Sequence, residues 1–215
     1  MRQRSSEQRA SVFVIDDDDD IREGLGSLLR SVGFQTKLFG SVADFLKADL
    51  PDGPVCLVSD VRMPGRSGLE LQSEISSRAR RQVPIVFITA HGDIPMSVRA
   101  MKRGAIEFLT KPFRDQDLLD TIAEGHARDR AWLNNEREIS ELLLHYESLT
   151  PREREVMSLV VSGRLNKQIA ADLGITEITV KVHRGQVMRK MHASSLPDLA
   201  RMSDRLKLPL VKSTH

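Results

Sequence analysis

The sequence contains one cysteine, one tryptophan and one tyrosine among its 215 residues, and only 4% of it is aromatic. A single cysteine cannot form a disulfide within the chain, which excludes a disulfide-stabilised scaffold and favours a reducing compartment. Cys56 lies inside an apolar run and is interpreted as a small core residue. No apolar run approaches the ~18 residues of a membrane span, and residues 1–10 are polar, unlike a signal peptide. We therefore expect a soluble, cytoplasmic protein with no membrane partner.

Charge is distributed unevenly, although the net charge is only +2. Residues 11–125 contain 14 Lys and Arg against 18 Asp and Glu, whereas residues 149–215 contain 12 against 6. A basic solvated face would also explain the second half. An acidic region joined to a basic one nevertheless favours two domains, of which the second contacts nucleic acid.

The first part of the chain alternates short apolar runs with segments of helical period. Strands are predicted near residues 12–15, 34–39, 55–59, 84–88 and 106–109. Helices are predicted near residues 20–32, 42–48, 67–81, 95–103 and 115–127. This (βα)₅ order predicts an α/β fold with a doubly wound, flavodoxin-like parallel sheet.

The second part is predicted to be all-α. Residues 128–148 form a charged linker helix, which either stands alone or continues the fifth helix. Thr150, Pro151 and Glu153 make a helix start, with Thr150 as N-cap and Glu153 as the reciprocal cap. Four helices follow, near residues 151–162, 166–173, 177–191 and 195–206. The predicted domains are residues 11–127 and 149–212, on either side of the linker.

Five polar residues follow the predicted strands, and this is the most informative pattern in the sequence. They are Asp16, Asp17, Asp60, Thr89 and Lys111. Because ligands bind beyond the carboxyl ends of parallel strands, these side chains are expected to converge at one edge. Mg²⁺ (or Mn²⁺) suits the carboxylates, and the Asp60 carboxylate could then attack a phosphoryl group.

Each part of this pattern has an ordinary explanation. An acidic run such as residues 16–20 is usually a solvated cluster, Asp60 could be a turn residue, and Lys111-Pro112 could be a loop dipeptide. The combination is more specific than its parts, because all four strand ends carry the required chemistry.

The motifs VFVIDDD, LVSDVRMPGRSG, VFITAHGD and FLTKPF resemble those of a response-regulator receiver domain. The resemblance implies that Asp60 is the phospho-acceptor and that Asp16, Asp17, Asp60 and the backbone carbonyl of Arg62 hold Mg²⁺. It also implies phosphoryl contacts from Thr89 and Lys111, a cis Lys111–Pro112 bond, and an aromatic switch at Phe108. The surface that repacks on phosphorylation and becomes a dimer interface would contain Ile94, Met96, Val98, Met101 and Lys102.

The segment KQIAADLGITEITVKVHRGQVMRKM predicts a helix, a tight turn at Gly174 and a second helix capped by Thr176. This is the pattern of a helix-turn-helix, whose second helix enters the major groove of DNA. Residues 178–197 contain no acid, which suits phosphate and base contacts. A solvated helix in a small bundle is the alternative.

Residues 149–191 are similar to a LuxR-type four-helix domain, and the whole chain resembles the FixJ branch of response regulators. The resemblance implies that Lys181 and Val182 contact bases. It implies backbone contacts from five further residues: Lys167, Gln168, Thr179, His183 and Arg184. Gly185 is unexpected within a recognition helix, where it either allows close approach to DNA or removes a base contact.

The sequence therefore predicts a phosphorylation-dependent transcriptional regulator of a two-component system. A sensor histidine kinase, promoter DNA and RNA polymerase are its expected partners, and phosphorylation is expected to produce a homodimer. An aspartate-dependent phosphatase is a rival, and its motif would be Asp-x-Asp after the third strand. Asp60-Val61-Arg62 lacks the second carboxylate of this motif, so no enzyme is expected. A DNA-binding protein that never needs phosphate is the second rival.

Overall fold

The computed structural model describes residues 10–64, 68–78, 81–90 and 92–208. Its contacts divide the chain into two compact units, with the boundary between Asn134 and Asn135. In the described part of the chain, no helix is both long enough and apolar enough to cross a membrane.

The first unit is an α/β structure built around one parallel sheet. Its strands lie in the order β2-β1-β3-β4-β5, which confirms the predicted fold class. The strands are β1 (Ser11–Ile15), β2 (Gln35–Phe39), β3 (Val55–Asp60), β4 (Ile85–Thr89) and β5 (Glu107–Thr110). The helices are α1 (Asp19–Ser31), α2 (Val42–Phe45), α3 (Gly68–Arg78), α4 (Ile94–Lys102) and α5 (Asp115–Glu147), the last of which continues into the second unit.

Both faces of the sheet are buried, because successive side chains of a strand point to opposite faces. Phe13, Leu57 and Phe87 pack on one face against apolar residues of α2, α3 and α4. Val14 and Val58 pack on the other face against α1 and α5. The carboxyl ends of β1, β3 and β4 therefore meet at one edge of a covered sheet.

The second predicted helix is shorter than expected. It was predicted over residues 42–48 but ends at Phe45, because Lys47 and Ala48 donate to carbonyls three residues back, at 3.2 and 2.9 Å. Such i→i+3 bonds tighten the chain out of the α-helix. The third helix was predicted over residues 67–81; residues 67, 79 and 80 lie outside the described ranges.

The fifth helix is anchored to the first unit by a buried ion pair. Asp129, on α5, is 1% exposed and accepts from Arg81 Nε at 2.9 Å and from the backbone N–H of Val55 at 2.7 Å. Arg81 also donates to Asp129 through Nη2, and its guanidinium lies 6.0 Å from the Trp132 ring centroid. The predicted linker, residues 128–148, therefore begins inside the first unit and is continuous with the fifth helix.

Replacing Gly125 by alanine is expected to destabilise the first unit. A Cβ there would lie 2.7 Å from the Sγ of Cys56 and 3.4 Å from Pro84 Cβ, between α5 and the sheet. Overpacking of this kind costs about 1–3 kcal/mol, more than alanine gains in helix propensity. Urea titration followed by the fluorescence of Trp132, the one tryptophan, would measure the loss.

Gly24→Ala is the matched control, because a Cβ on this α1 residue would meet nothing within 4 Å. It is expected to stabilise the unit by up to about 1 kcal/mol. Adding Cys56→Ala to Gly125→Ala should recover part of the loss, since it removes the clashing sulfur. A double variant as unstable as Gly125→Ala alone would contradict this account. The Cys56 thiol itself is buried, which raises its pKa to about 12, so it stays protonated.

The second unit combines the end of α5 with α6 (Pro151–Val161), α7 (Asn166–Leu173), α8 (Glu177–Lys190) and α9 (Leu196–Arg205). Thr150 and Glu153 form the predicted reciprocal cap at the start of α6. Glu153 also accepts from Lys190 Nζ, on α8, at 2.6 Å. Gly174, at φ +65°, ends α7 in the left-handed conformation that glycine adopts without strain. These contacts fix α8 against α6 and α7 in a helix-turn-helix.

Candidate acidic site and nucleic-acid interface

Lys111 connects two acidic residues at the carboxyl edge of the sheet. Its Nζ lies 2.9 Å from Asp16 Oδ2 and 3.2 Å from Asp60 Oδ1. Asp16 follows β1 and Asp60 is the last residue of β3, and these strands are neighbours in the sheet. The Lys111–Pro112 bond is cis, as the resemblance implies. The strand order thus brings Lys111 into contact with Asp16, 95 residues away in sequence, and with Asp60, 51 residues away.

The Asp60 carboxylate is largely buried at this edge of the sheet. Only 7% of the residue is exposed, and its Oδ2 accepts from the backbone N–H of Arg62 at 2.7 Å. Burial raises the pKa of Asp60 above its usual value. The Lys111 charge and the hydrogen bonds from Lys111 and from the Arg62 N–H oppose this shift. Burial alone would lower the pKa of Lys111. Hydrogen bonds and charge attraction to Asp16 and Asp60 outweigh burial, so the pKa of Lys111 is raised above its usual value. Lys111 is therefore held as a cation against Asp16 and Asp60.

The three predicted metal-binding carboxylates are only partly brought together. Asp16 is 1% exposed and lies beside Lys111 with Asp60, whereas Asp17, the next residue, is exposed. Among the described residues, no three His, Cys, Asp or Glu side chains are grouped closely enough to hold a metal ion. The donor chemistry still fits Mg²⁺, which needs only one or two carboxylates and takes its other ligands from carbonyl oxygens and water.

Thr89 and Phe108 lie against the same short piece of backbone. Thr89 ends β4 and is 1% exposed, while Phe108, on β5, is half-buried. A Cβ built on Gly92 would lie 2.7 Å from the Phe108 ring and 3.1 Å from Thr89 Cγ2. Both side chains thus rest on a backbone position where only glycine leaves enough room.

The predicted repacking surface on α4 is largely exposed. Ile94 is 80% exposed, Val98 44% and Met101 42%. Lys102 is exposed, and Met96 is half-buried against the core. The helix therefore presents an apolar strip on its outer side, while Ala100 is fully buried against the sheet.

The predicted DNA-binding residues differ in how far they are engaged within the fold. Lys181 and Val182, on α8, and Lys167, at the start of α7, are exposed, while His183 is half-buried. Three others make contacts that the sequence did not predict. The Thr179 hydroxyl forms a hydrogen bond with the Thr176 hydroxyl, and Gln168 Oε1 accepts from Leu165 N at 2.8 Å. Arg184 Nη1 donates to Asn166 Oδ1 at 2.5 Å. The first two contacts lie at the start of α8 and of α7, and only the bond from Arg184 to Asn166 joins the two helices.

Gly185 is not required by packing. A Cβ built at this position meets nothing within 4 Å, and no left-handed φ is found there. A glycine in an exposed helix interior costs about 1 kcal/mol relative to alanine. The reason for glycine therefore lies outside the packing of this domain.

Two family models match the chain, one on each side of the linker. Residues 12–123 match the response regulator receiver domain, and residues 147–203 match the bacterial regulatory proteins of the luxR family. The chain belongs to the two-component response regulators. Receiver domains generally bind Mg²⁺ at their phosphorylation site, and the family consists of transcriptional regulators rather than enzymes. Its members have kinase and DNA partners.

Whole-length relatives support this assignment. The response regulator is 52% identical to nodulation protein W of Bradyrhizobium diazoefficiens over 198 residues, which cover 92% of this chain and 87% of the relative. It is 46% identical to the transcriptional regulatory protein FixJ of Azorhizobium caulinodans, with 89% and 90% covered. The solved response regulator StyR superposes with a TM-score of 0.80 at 48% identity, covering 92% of this chain and 99% of that one. The FixJ-branch resemblance is confirmed.

Some residues at the site were not found by sequence reasoning. Gly68 packs so closely under Asp60 that a Cβ would lie 2.5 Å from the Asp60 carbonyl oxygen, and Gly92 supports Phe108 and Thr89. Both glycines occur in the motifs that carry the resemblance, LVSDVRMPGRSG and VFITAHGD, so the motif was the available signal. Asn166 gave no signal, because nothing in the sequence pairs it with Arg184.

Proposed function

We propose that Asp60 accepts a phosphoryl group from a sensor histidine kinase and that this modification controls promoter binding by α8. The observation that supports the proposal is the contact of Lys111 Nζ with both Asp16 and Asp60. A buried carboxylate beside a fixed cation is suited to form an anionic adduct, because the cation offsets the charge of the transferred group. The luxR-family match in the same chain joins this chemistry to DNA.

The transfer is an in-line displacement at phosphorus. A carboxylate oxygen of Asp60 forms the new bond as the bond from phosphorus to the histidine nitrogen of the kinase breaks, and the electron pair of that bond leaves with the nitrogen. Lys111 is placed to exchange its contact with Asp60 Oδ1 for a phosphoryl oxygen. Thr89, whose strand ends beside β3, offers a hydroxyl to a second phosphoryl oxygen.

Asp16, Asp17, Asp60 and the backbone carbonyl of Arg62 would hold Mg²⁺ (or Mn²⁺) at this edge. When bound, the ion neutralises the carboxylates and the developing charge on the phosphoryl oxygens. Of these residues Asp17 is exposed to solvent, whereas Asp16 is buried beside Lys111.

Phosphorylation would be transmitted through packing. The phosphoryl group adds about −1.5 to −2 charges and three acceptor oxygens, which attract Lys111 and the Thr89 hydroxyl. Because Thr89 and Phe108 both rest on Gly92, displacement of Thr89 changes the space available to the Phe108 ring. The apolar strip of α4 lies next along the chain and would repack into a homodimer interface.

Pairing of two chains would present two copies of α8 to one duplex. Linking two modules raises their joint affinity through effective concentration, on the order of 10²-fold or more. Lys181 and Val182 are proposed to contact bases. The sugar–phosphate backbone would be contacted by five further residues: Lys167, Gln168, Thr179, His183 and Arg184. The DNA-bound dimer would then act with RNA polymerase in the cytoplasm, where bacterial promoters lie.

A DNA-binding assay with a small phosphodonor tests the proposal. The full chain would first be used to select duplexes from a random library, in Mg²⁺ with acetyl phosphate. We expect intact mass to show one added phosphoryl group, sedimentation to show a dimer, and selected duplexes to bind more tightly than without the donor. EDTA should abolish all three changes, since it removes Mg²⁺. Equal DNA binding with and without acetyl phosphate, despite complete labelling, would contradict phosphorylation control.

A further inference from the structure

The outer face of α8 is apolar in its N-terminal half. Ile178 is 75% exposed and Val182 is 57% exposed, whereas Val180 and Val187 on the inner face are buried in the core. Residues 178, 182, 185 and 189 follow the spacing i, i+4, i+7 and i+11 and so share one side of the helix. Two branched aliphatic side chains, one helical turn apart, are thus exposed to solvent on the side of α8 opposite the face that packs in the core.

The charge of the residues near this strip indicates which class of ligand it binds. Lys181 and Arg189 are exposed on the same helix, and residues 178–197 contain no acid. Glu177, in the first turn of α8, is exposed, but the charged residues after it on the helix are all basic. This excess of positive charge is complementary to a polyanion, and duplex DNA is a polyanion whose major groove admits an α-helix.

The third position of the strip has no side chain. Gly185 lies one turn after Val182, and the space where its Cβ would project is open. A bare backbone beside two aliphatic side chains allows the helix to approach a surface closely. The unexplained glycine and the exposed aliphatic residues therefore have one common explanation, which is close contact between this face and the base edges of DNA.

The major groove offers one apolar group, the 5-methyl group of thymine. We propose that Ile178 and Val182 recognise thymine methyl groups, so that each half of the operator contains thymine at the positions facing them. This inference rests on the proposed function, because it requires α8 to enter the major groove. It assigns Ile178 a role in specificity and gives the chemistry that Val182 would contact.

Deoxyuridine substitution tests the inference, because it removes the methyl group and leaves every hydrogen-bonding atom of the base. A duplex selected by the full phosphorylated chain would be resynthesised with each thymine changed in turn. We expect one or more thymines in each half-site at which deoxyuridine weakens binding about fourfold, the value expected for one buried methyl group. Ile178→Ala should weaken binding to the thymine duplex and abolish the difference between thymine and deoxyuridine at its position.

Leu144→Ala is the matched control, since it shortens an aliphatic residue on α5 that is also 65% exposed. It should leave both the affinity and the deoxyuridine effect unchanged, and thermal melting would establish that each variant is folded. If every deoxyuridine duplex binds as well as its thymine parent, the inference is wrong and the proposed function stands. If a deoxyuridine effect persists undiminished in both Ile178→Ala and Val182→Ala, another residue contacts the methyl group and the inference is again wrong. If no duplex is selected at all, the proposed function itself fails.

Discussion

Replacing Asp60 by asparagine is expected to eliminate phosphorylation while leaving the fold intact. Asparagine has nearly the same size, and its carbonyl oxygen can still accept the Arg62 N–H that Asp60 Oδ2 accepts at 2.7 Å. It lacks the anionic oxygen that attacks phosphorus. Intact mass after incubation with acetyl phosphate and Mg²⁺ should show no added phosphoryl group. The gain in DNA affinity with phosphodonor, on the order of 10²-fold if two domains pair, should be lost with it.

Asp18→Asn provides the control for this experiment. Asp18 belongs to the same acidic run, but it is exposed and caps α1 by accepting from the N–H groups of Asp20 and Ile21 at 3.0 and 3.1 Å. Asparagine is an equally good N-cap, so this variant should be phosphorylated like the parent. Labelling of Asp60→Asn at the parental level would show that another residue accepts the group, and the exposed Asp17 would be the next candidate.

The positions of the inner strands followed from the sequence because parallel strands buried on both faces are continuous apolar runs, which the partly buried edge strand β2 is not. The strand predicted near residues 55–59 is Val55–Asp60, and the one predicted near 12–15 is Ser11–Ile15. Strand ends were correct to within one residue for the same reason, since a polar residue after an apolar run marks the edge of the sheet. The contact of Lys111 with Asp16 and Asp60 was foreseeable from strand ends alone.

Contacts made by polar residues far apart in sequence could not be predicted. Arg81 and Asp129 are 48 residues apart, one at the end of the third predicted helix and the other in the charged linker segment, and nothing in the sequence pairs them. Hydrophobic periodicity predicts which apolar residues are buried, but it does not predict which two charged residues are buried as a pair. For this reason residues 128–148 were expected as a linker, although the first turns of that segment pack within the first unit.

The same limit applied to α8. The basic residues of α8 and the absence of acids from residues 178–197 predicted contact with DNA, but they did not distinguish exposed residues such as Lys181 from Arg184, which bonds Asn166. The exposure of Ile178 was also not predictable, since an isoleucine in a small helical domain is ordinarily part of the core. Only the orientation of the helix on its neighbours decides which apolar residues remain outside.

Replacing Asp129 by alanine is expected to lower the free energy of unfolding of the first unit by about 3–5 kcal/mol. The change removes the acceptor of the Val55 N–H and leaves the Arg81 guanidinium with two carbonyl partners, Pro51 O and Gly53 O, each at 2.8 Å. A buried charge without its counter-charge accounts for most of the cost. Domains of this size are stable by about 5–15 kcal/mol, so the loss is a large share of the total.

Trp132 makes the measurement specific to the first unit. It is the one tryptophan in the chain and lies beside Arg81, so its fluorescence during urea titration follows this unit and not the DNA-binding domain. Separate reporting matters because a chain of two units need not unfold in one step. Asp129→Asn should lose less than Asp129→Ala, since the amide oxygen can still accept the Val55 N–H.

Glu124→Ala is the matched control on the same helix. Glu124 pairs with Arg128 at 2.5 Å, but both side chains are about half exposed, and surface pairs of this kind contribute at most about 1 kcal/mol. Two acidic residues of α5, each paired with an arginine, should thus differ severalfold in their effect because only one pair is buried. Equal losses for Asp129→Ala and Glu124→Ala would mean that the buried pair does not hold α5 to the sheet. The start of the linker would then be free to move independently of the phosphorylated domain.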